Sequence, residues 1–200
     1  FSHSQKKRIQ TMESQVLRLE KLLDQMILMS KLDAINTEDH EFTTINMSSM
    51  LQNLYQIFSK QSEQKDLQLN LTVPSNSIEI YGNEEYLSRA IKNILENAIL
   101  YTSKGDIDLN LKRIDSCIAI HIKDTGSGIA SGDLPHIFDR FFRIDRARSV
   151  ETGGSGLGLS ISKTIIDMHS GNIEVISTLD EGTHVTINLP IHPSSISLSE

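Results

Sequence analysis

Asn93 and Asn97 stand four positions apart, a spacing that puts both carboxamides on one face of a helix. Two amide oxygens so placed can reach a hard cation such as Mg2+, which prefers oxygen ligands shared with phosphates and water. A pair of solvated polar side chains would have the same spacing. Asp124-Thr-Gly-Ser-Gly-Ile129 follows an apolar stretch. A carboxylate there can accept a hydrogen bond from an exocyclic amine such as adenine N6. Gly126 and Gly128, having no Cβ, let the backbone come close to a flat ring; an ordinary Asp-Gly turn accounts for the same residues. Gly153-Gly-Ser-Gly-Leu-Gly158 leads into a helical pattern, where backbone N–H groups and the helix dipole favour phosphate. It is not a P-loop, because no Lys-Ser/Thr follows the last Gly, and no strand–helix–strand unit with a later acidic residue makes it a dinucleotide fingerprint. Between these stretches lie Arg140, Arg143, Arg146 and Arg148. Guanidinium forks suit polyphosphate and charge spread over a transferring phosphoryl group. Phe138, Phe141 and Phe142 would anchor that loop to the core, and a solvated loop with an aromatic staple is the plainer reading.

These residues need elements to hold them. From Ser4 to Asp33 there is no Gly or Pro, and Ile9, Met12, Val16, Leu19, Leu23 and Met26 alternate spacings of three and four. That seam predicts a helix that packs in a bundle or coiled coil. Asn36 to Thr44 is polar and reads as a linker. Met47, Met50, Leu51, Leu54 and Phe58 predict a shorter amphipathic helix, and Leu67, Leu69, Leu71 and Val73 alternate as in a strand before Pro74. Asn83, followed by Glu84 and Glu85, can cap a helix whose apolar face is Leu87, Ala90, Ile91, Ile94, Leu95 and Ala98. Strands are expected at about 107–114 and 117–123, a long loop over 124–153, a helix over about 156–169 and a hairpin from 173–177 to 183–189. The order predicts an α+β fold: a two-layer α/β sandwich with a mixed sheet and three helices, preceded by a long helix.

The 200 residues are 38% hydrophobic and 22% charged, which suits a packed core. A formal charge of −7 argues against nucleic-acid binding through phosphate neutralisation. The single cysteine, Cys117, excludes an internal disulfide and a cysteine-rich zinc site, and fits a reduced, cytoplasmic setting. No apolar run is long enough to cross a membrane, so this segment is expected to make no membrane contact. The start Phe-Ser-His-Ser-Gln-Lys-Lys reads as a point inside a longer protein.

In order and spacing, the four chemical stretches resemble the boxes of the sensor histidine kinase catalytic domain. Asn93-Ile-Leu-Glu-Asn-Ala98 with Tyr101-Thr102 is similar to the N box, Asp124-x-Gly-x-Gly to G1, Phe138 to Phe142 to the F box, and Gly154-x-Gly-Leu-Gly-Leu159 to G2. Glu181-Gly-Thr183 before a terminal strand, and the stretch from Leu22 to Asp33, also resemble the family, over about residues 5–191. The resemblance implies the ATPase fold shared with type II topoisomerases and heat-shock 90 chaperones. It implies a second dimerisation-hairpin helix over 1–35, a linker over 36–46, an ATP-binding domain over 47–191 and a tail over 192–200. It also implies ATP and Mg2+ as cofactors. Asn97 and Asn93 would ligate Mg2+, with Asn93, Glu96 and Arg143 in catalytic positions. Asp124 would take the adenine amine. Gly126, Gly128, Ile129, Phe138, Gly154, Gly156, Leu157, Gly158 and Thr183 would line the nucleotide site. The family usually has Lys three residues after the second N-box Asn; here that residue is Leu100, which would leave phosphate neutralisation to the loop arginines or Lys104.

Such a kinase phosphorylates a histidine in a His-Glu-x-x-(Thr/Asn)-Pro motif, and none of His3, His40, His121, His136, His169, His184 and His192 stands in one. His40-Glu41 copies two letters and falls in the linker. His121 and His184 alternate with apolar residues and read as structural. The expected activity is therefore protein-histidine kinase chemistry on a histidine outside this chain, with a response regulator as partner and self-association through residues 5–33. The alternative is an ATP-binding regulatory switch or degenerate kinase of the same fold. A helical interaction protein with an incidental cap fits four ordered boxes poorly.

Overall fold

A computed structural model describes residues 3–34, 42–144 and 155–192. Helix α1 (His3–Ala34) leads into strand β1 (Thr43–Asn46) and helix α2 (Met47–Glu63), then β2 (Leu67–Thr72), β3 (Glu79–Gly82) and α3 (Glu84–Tyr101). The long strands β4 (Gly105–Ile114) and β5 (Cys117–Asp124) follow, then a 3-10 turn (Leu134–His136), α4 (Gly158–Met168), β6 (Asn172–Thr178) and β7 (Gly182–Pro190). Asparagine starts two helices. Asn46 accepts a hydrogen bond from the Ser49 N–H at 2.9 Å, and Asn83 from the Tyr86 N–H at 3.0 Å, each satisfying one orphan donor of the first turn.

The main sheet has strand order β2-β4-β5-β7-β6; β2 and β4 run parallel across the α3 crossover, and every other pair is antiparallel. One face of the sheet is apolar because Leu109, Ile118, Ile120, Ile122, Val185 and Ile187 recur at every second position along their strands, and α2, α3 and α4 cover that face. This is the expected α+β sandwich with a mixed sheet, with three α-helices on the sheet among the described residues.

One feature differs from the sequence-based expectation, and a second adds to it. The polar stretch read as a linker ends in a strand: β1 pairs antiparallel with β3 in a small second sheet, and Ile45 is buried. Residues 35–41 of that stretch, with His40, lie outside the described residues. In α1, the seam residues Ile9, Met12, Val16, Leu19, Leu23 and Met26 are all exposed. Gln25, Leu28, Met29 and Leu32 are buried instead, and the helix meets α4. The heptad spacing located the helix but not the side that this domain covers.

Candidate functional site

The apolar face of α3 goes into the core and leaves Asn93, Glu96 and Asn97 half-buried along one edge. Asn93 Nδ2 donates to the Gly158 carbonyl at 3.2 Å and lies 3.5 Å from Ser162 Oγ, at the start of α4. With its nitrogen engaged, the carboxamide oxygen is the acceptor this residue still offers. At the C-terminal end of the same helix, the Ser127 N–H donates to the Tyr101 carbonyl at 3.2 Å. Asn97 stands midway, about 6 Å along the axis from each contact. A Cβ on Gly126 would come within 2.7 Å of the Tyr101 carbonyl and 2.8 Å of Asp124 Oδ1, so this approach of loop to helix requires glycine.

Asp124 closes β5 and is buried. Its Oδ1 accepts from the Gly126 N–H at 2.8 Å and from the Thr183 N–H at 3.3 Å, and Thr183 is its partner across the β5–β7 ladder. Burial raises the Asp124 pKa, and the two N–H donors pull it back only in part. The folded state therefore holds this proton more tightly than the unfolded chain. The cost of burying the charge is absent below the ordinary carboxylate value, grows as pH rises toward the raised folded value, and is complete above it. Urea midpoints of the wild type without nucleotide should fall relative to Asp124→Asn as pH rises from about 4 to 7. Parallel curves would remove the linkage.

Ile129 is held by its N–H to Ser177 Oγ at 2.8 Å, and that hydroxyl also contacts Thr183 Oγ1 at 2.9 Å. Phe138 packs on the core, with Lys163 Nζ 6.0 Å from its ring centre. The Phe141 N–H donates to the Gly156 carbonyl at 2.9 Å, which brings the two sides of the long loop together. Leu157 is buried and supplies no side-chain cap to α4, which opens at Gly158. Arg143 is half-buried at the end of the described part of the loop. Gly154, Arg146 and Arg148 lie outside the described residues. Most of the described residues singled out in the sequence thus line up as a strip: Asp124, Thr183, Gly126, Gly128 and Ile129 at one end, then Asn97, then Asn93, Gly158 and Leu157.

Three participants have no sequence signal. Lys21 of α1 pairs with Glu96 at 2.9 Å. Asp33 of α1 takes both terminal nitrogens of Arg140 at 2.9 and 2.7 Å, across 107 positions of chain. Ser162 is buried beside Asn93, and one serine between Ile161 and Lys163 gives no sign of that contact. Both acid–base pairs are about half exposed, so Asp33→Ala should change stability by only about 0–1 kcal/mol. It should nevertheless speed hydrogen exchange in the last turns of α1, measured by mass spectrometry; unchanged exchange would show that apolar packing alone holds the helix.

Among the described residues no group of three or more His, Cys, Asp and Glu is placed to hold a metal, and no helix is long and apolar enough to cross a membrane. Sensor histidine kinase RppB of Synechocystis sp. is 36% identical over 185 residues, covering 92% of this chain and 40% of its own length. The chain spans less than half of the length of that relative. Among solved structures, full-length ShkA in complex with AMPPNP superposes with a TM-score of 0.78 at 20% identity, covering 95% of this chain and 39% of that one. Histidine kinase ThkA in complex with response regulator protein TrrA gives 0.75 at 20%, covering 98% and 54%. At those identities the two structures establish the fold. Residues 82–193 match the model of the histidine kinase-, DNA gyrase B- and HSP90-like ATPases. That is more than half of the sequence, and it takes in the strip from Asn93 to Thr183: the chain belongs to this ATPase family and carries the ATPase domain of a sensor histidine kinase.

Proposed function

We propose that this chain binds Mg-ATP and transfers the γ-phosphoryl group to a histidine outside it, for relay to an aspartate of a response regulator. The observation that carries this reading is Asp124. It is a buried carboxylate, with two backbone donors on one oxygen, at the glycine-lined end of a strip whose other end is the N-terminus of a helix. Asp124 would take the adenine amine beside Thr183, and Ile129 and Phe138 would face the base. Gly126, Gly128, Gly154, Gly156, Leu157 and Gly158 would shape the walls, and the start of α4 would face phosphate. The donors suit Mg2+: Asn93 and Asn97 offer amide oxygens, and without a carboxylate cage the ion would draw its other ligands from phosphate and water. An ion held by those two amides would supply positive charge against the phosphate oxygens. Arg143 would contact the terminal phosphate, and Glu96 would orient the incoming imidazole. In the transfer, an imidazole nitrogen bonds to the γ-phosphorus while the bond to the bridging oxygen breaks, and ADP leaves with the electron pair.

ThkA was solved with a response regulator, which supports that class of partner here. The exposed stripe on α1, from Ile9 to Met26, supports self-association. Sedimentation should show association that strengthens with concentration and is lost on Val16→Asp with Leu23→Asp; a monomer at all concentrations refutes it.

The direct test incubates the chain with γ-labelled ATP and Mg2+, alone and with a separate fragment carrying the acceptor motif. Label should reach the fragment as acid-labile phosphate and should not accumulate on this chain. Nucleotide binding without transfer would favour the regulatory switch, and stoichiometric phosphate on His40 would overturn the assignment of the acceptor.

A further inference from the structure

The sheet face turned away from the helices carries a cluster that the nucleotide site does not use. His121 on β5 and His184 on β7 lie on adjacent strands, with Nδ1 of the first 3.2 Å from Nε2 of the second. The Thr186 hydroxyl closes a triangle, 3.2 Å from His121 Nδ1 and 3.5 Å from His184 Nε2. All three side chains are half-buried. The ring centres are 5.3 Å apart and the planes tilted by 40°, so the rings do not stack face to face.

We propose that this triangle binds a late first-row divalent metal ion such as Zn2+ or Cu2+, ligated by His121 Nδ1 and His184 Nε2, with Thr186 Oγ1 and water in the remaining positions. Two imidazole nitrogens about 2.0–2.1 Å from one such ion, subtending about 90–110° there, lie about 2.8–3.4 Å apart. The observed separation falls inside that range. Imidazole suits Zn2+, Cu2+ and Ni2+, whereas Mg2+ takes oxygen ligands.

With no metal, one ring donates a hydrogen bond to the other. Binding moves that hydrogen to the other nitrogen of the same ring, so both facing nitrogens present lone pairs and neutral rings release no proton. The ladder sets the positions: His121 is opposite Thr186, and Lys123 opposite His184. The chelate therefore rests on paired backbone and not on a loop. The same ladder places Asp124 opposite Thr183. An ion at this site would staple the two strands that carry that pair, from the reverse face of the sheet.

The test uses the untagged full chain. Zinc chloride, followed by calorimetry, should bind as a single ion per chain and raise the thermal midpoint, and magnesium chloride should not. Copper chloride should give an electron paramagnetic resonance spectrum with coupling to two nitrogens. His121→Asn and His184→Asn should each weaken zinc binding about a hundredfold, the order of a chelate advantage, and each should leave one coupled nitrogen. Asp124→Asn should leave zinc affinity unchanged, which separates this site from the nucleotide site. Should either histidine variant fail to fold, the wild type still decides. Zinc should protect His121 and His184, but not the exposed His136, from diethyl pyrocarbonate in peptide mapping. No zinc binding by the wild type, wild-type affinity in both histidine variants, or equal modification with and without zinc would each overturn the proposal.

Discussion

Replacing Asp124 with asparagine is expected to abolish nucleotide binding while leaving the fold intact. Asparagine has the same shape, and its Oδ1 can still accept from the Gly126 and Thr183 N–H groups. Its nitrogen, however, would replace the free carboxylate oxygen with a donor that faces the amine of adenine. The loss combines a hydrogen bond to a charged group, about 1.5–3 kcal/mol, with an unsatisfied buried polar group, about 1–3 kcal/mol. Together these weaken binding by about a hundredfold to ten-thousandfold. Stability without nucleotide should hold or rise, because the substitution removes a buried charge whose pKa is already raised. Calorimetry with ADP and Mg2+ reads the first effect and urea unfolding the second. Wild-type affinity in a folded variant would remove Asp124 from the adenine site.

Gly128→Ala should be the most damaging single methyl group in the site. Gly128 has φ +63°, and a Cβ there would lie 1.9 Å from the Thr178 carbonyl oxygen and 2.7 Å from its carbon. Neither side can give way cheaply. Thr178 is paired with Gly182 in the β6–β7 ladder, and the Asp180 N–H donates to the Ser127 carbonyl at 2.7 Å. The left-handed backbone with a side chain costs about 1–2 kcal/mol, and overpacking about 1–3 kcal/mol. A loss of about 2–5 kcal/mol is a large share of the roughly 5–15 kcal/mol that is typical for a domain. Gly132→Ala is the matched control, because nothing lies within 4 Å of the methyl group it would add. Equal urea midpoints for the two variants would show that the loop yields where the geometry says it cannot.

Much of the fold was legible because its elements are long and regularly patterned. β2 alternates Leu67, Leu69 and Leu71, and the cap at Asn83 with two acids marks the start of α3. β1 escaped because four residues with one buried side chain, Ile45, are too short for a period of two to show. The Asp124 end of the strip stood out only in company: Asp before spaced glycines also makes an ordinary turn, and it was the order of the four stretches that marked it as a candidate site. What it touches was not legible, since Thr183 reaches it only through strand pairing. The links from Lys21 and Asp33 to the site were invisible for a related reason: single surface charges carry no periodic signal, and their partners are 75 and 107 positions away.

The docking of α1 implies that this helix has two working sides. Positions advance by about 100° each, so Gln25, Leu28, Met29 and Leu32 centre roughly 160° away from the stripe of Met12, Val16, Leu19 and Leu23. The catalytic domain occupies the first side and leaves the second open to another surface at the same time. A helix is stiff in torsion over this length, so torque delivered to the open side turns the occupied side with it. Lys21 and Asp33 sit at opposite ends of the docked half, and among the described residues each forms one acid–base pair. A turn of one residue's pitch would carry both away from Glu96 and Arg140 in one movement. The helix is thus geared to the edge of α3 where Glu96 stands next to the two asparagines.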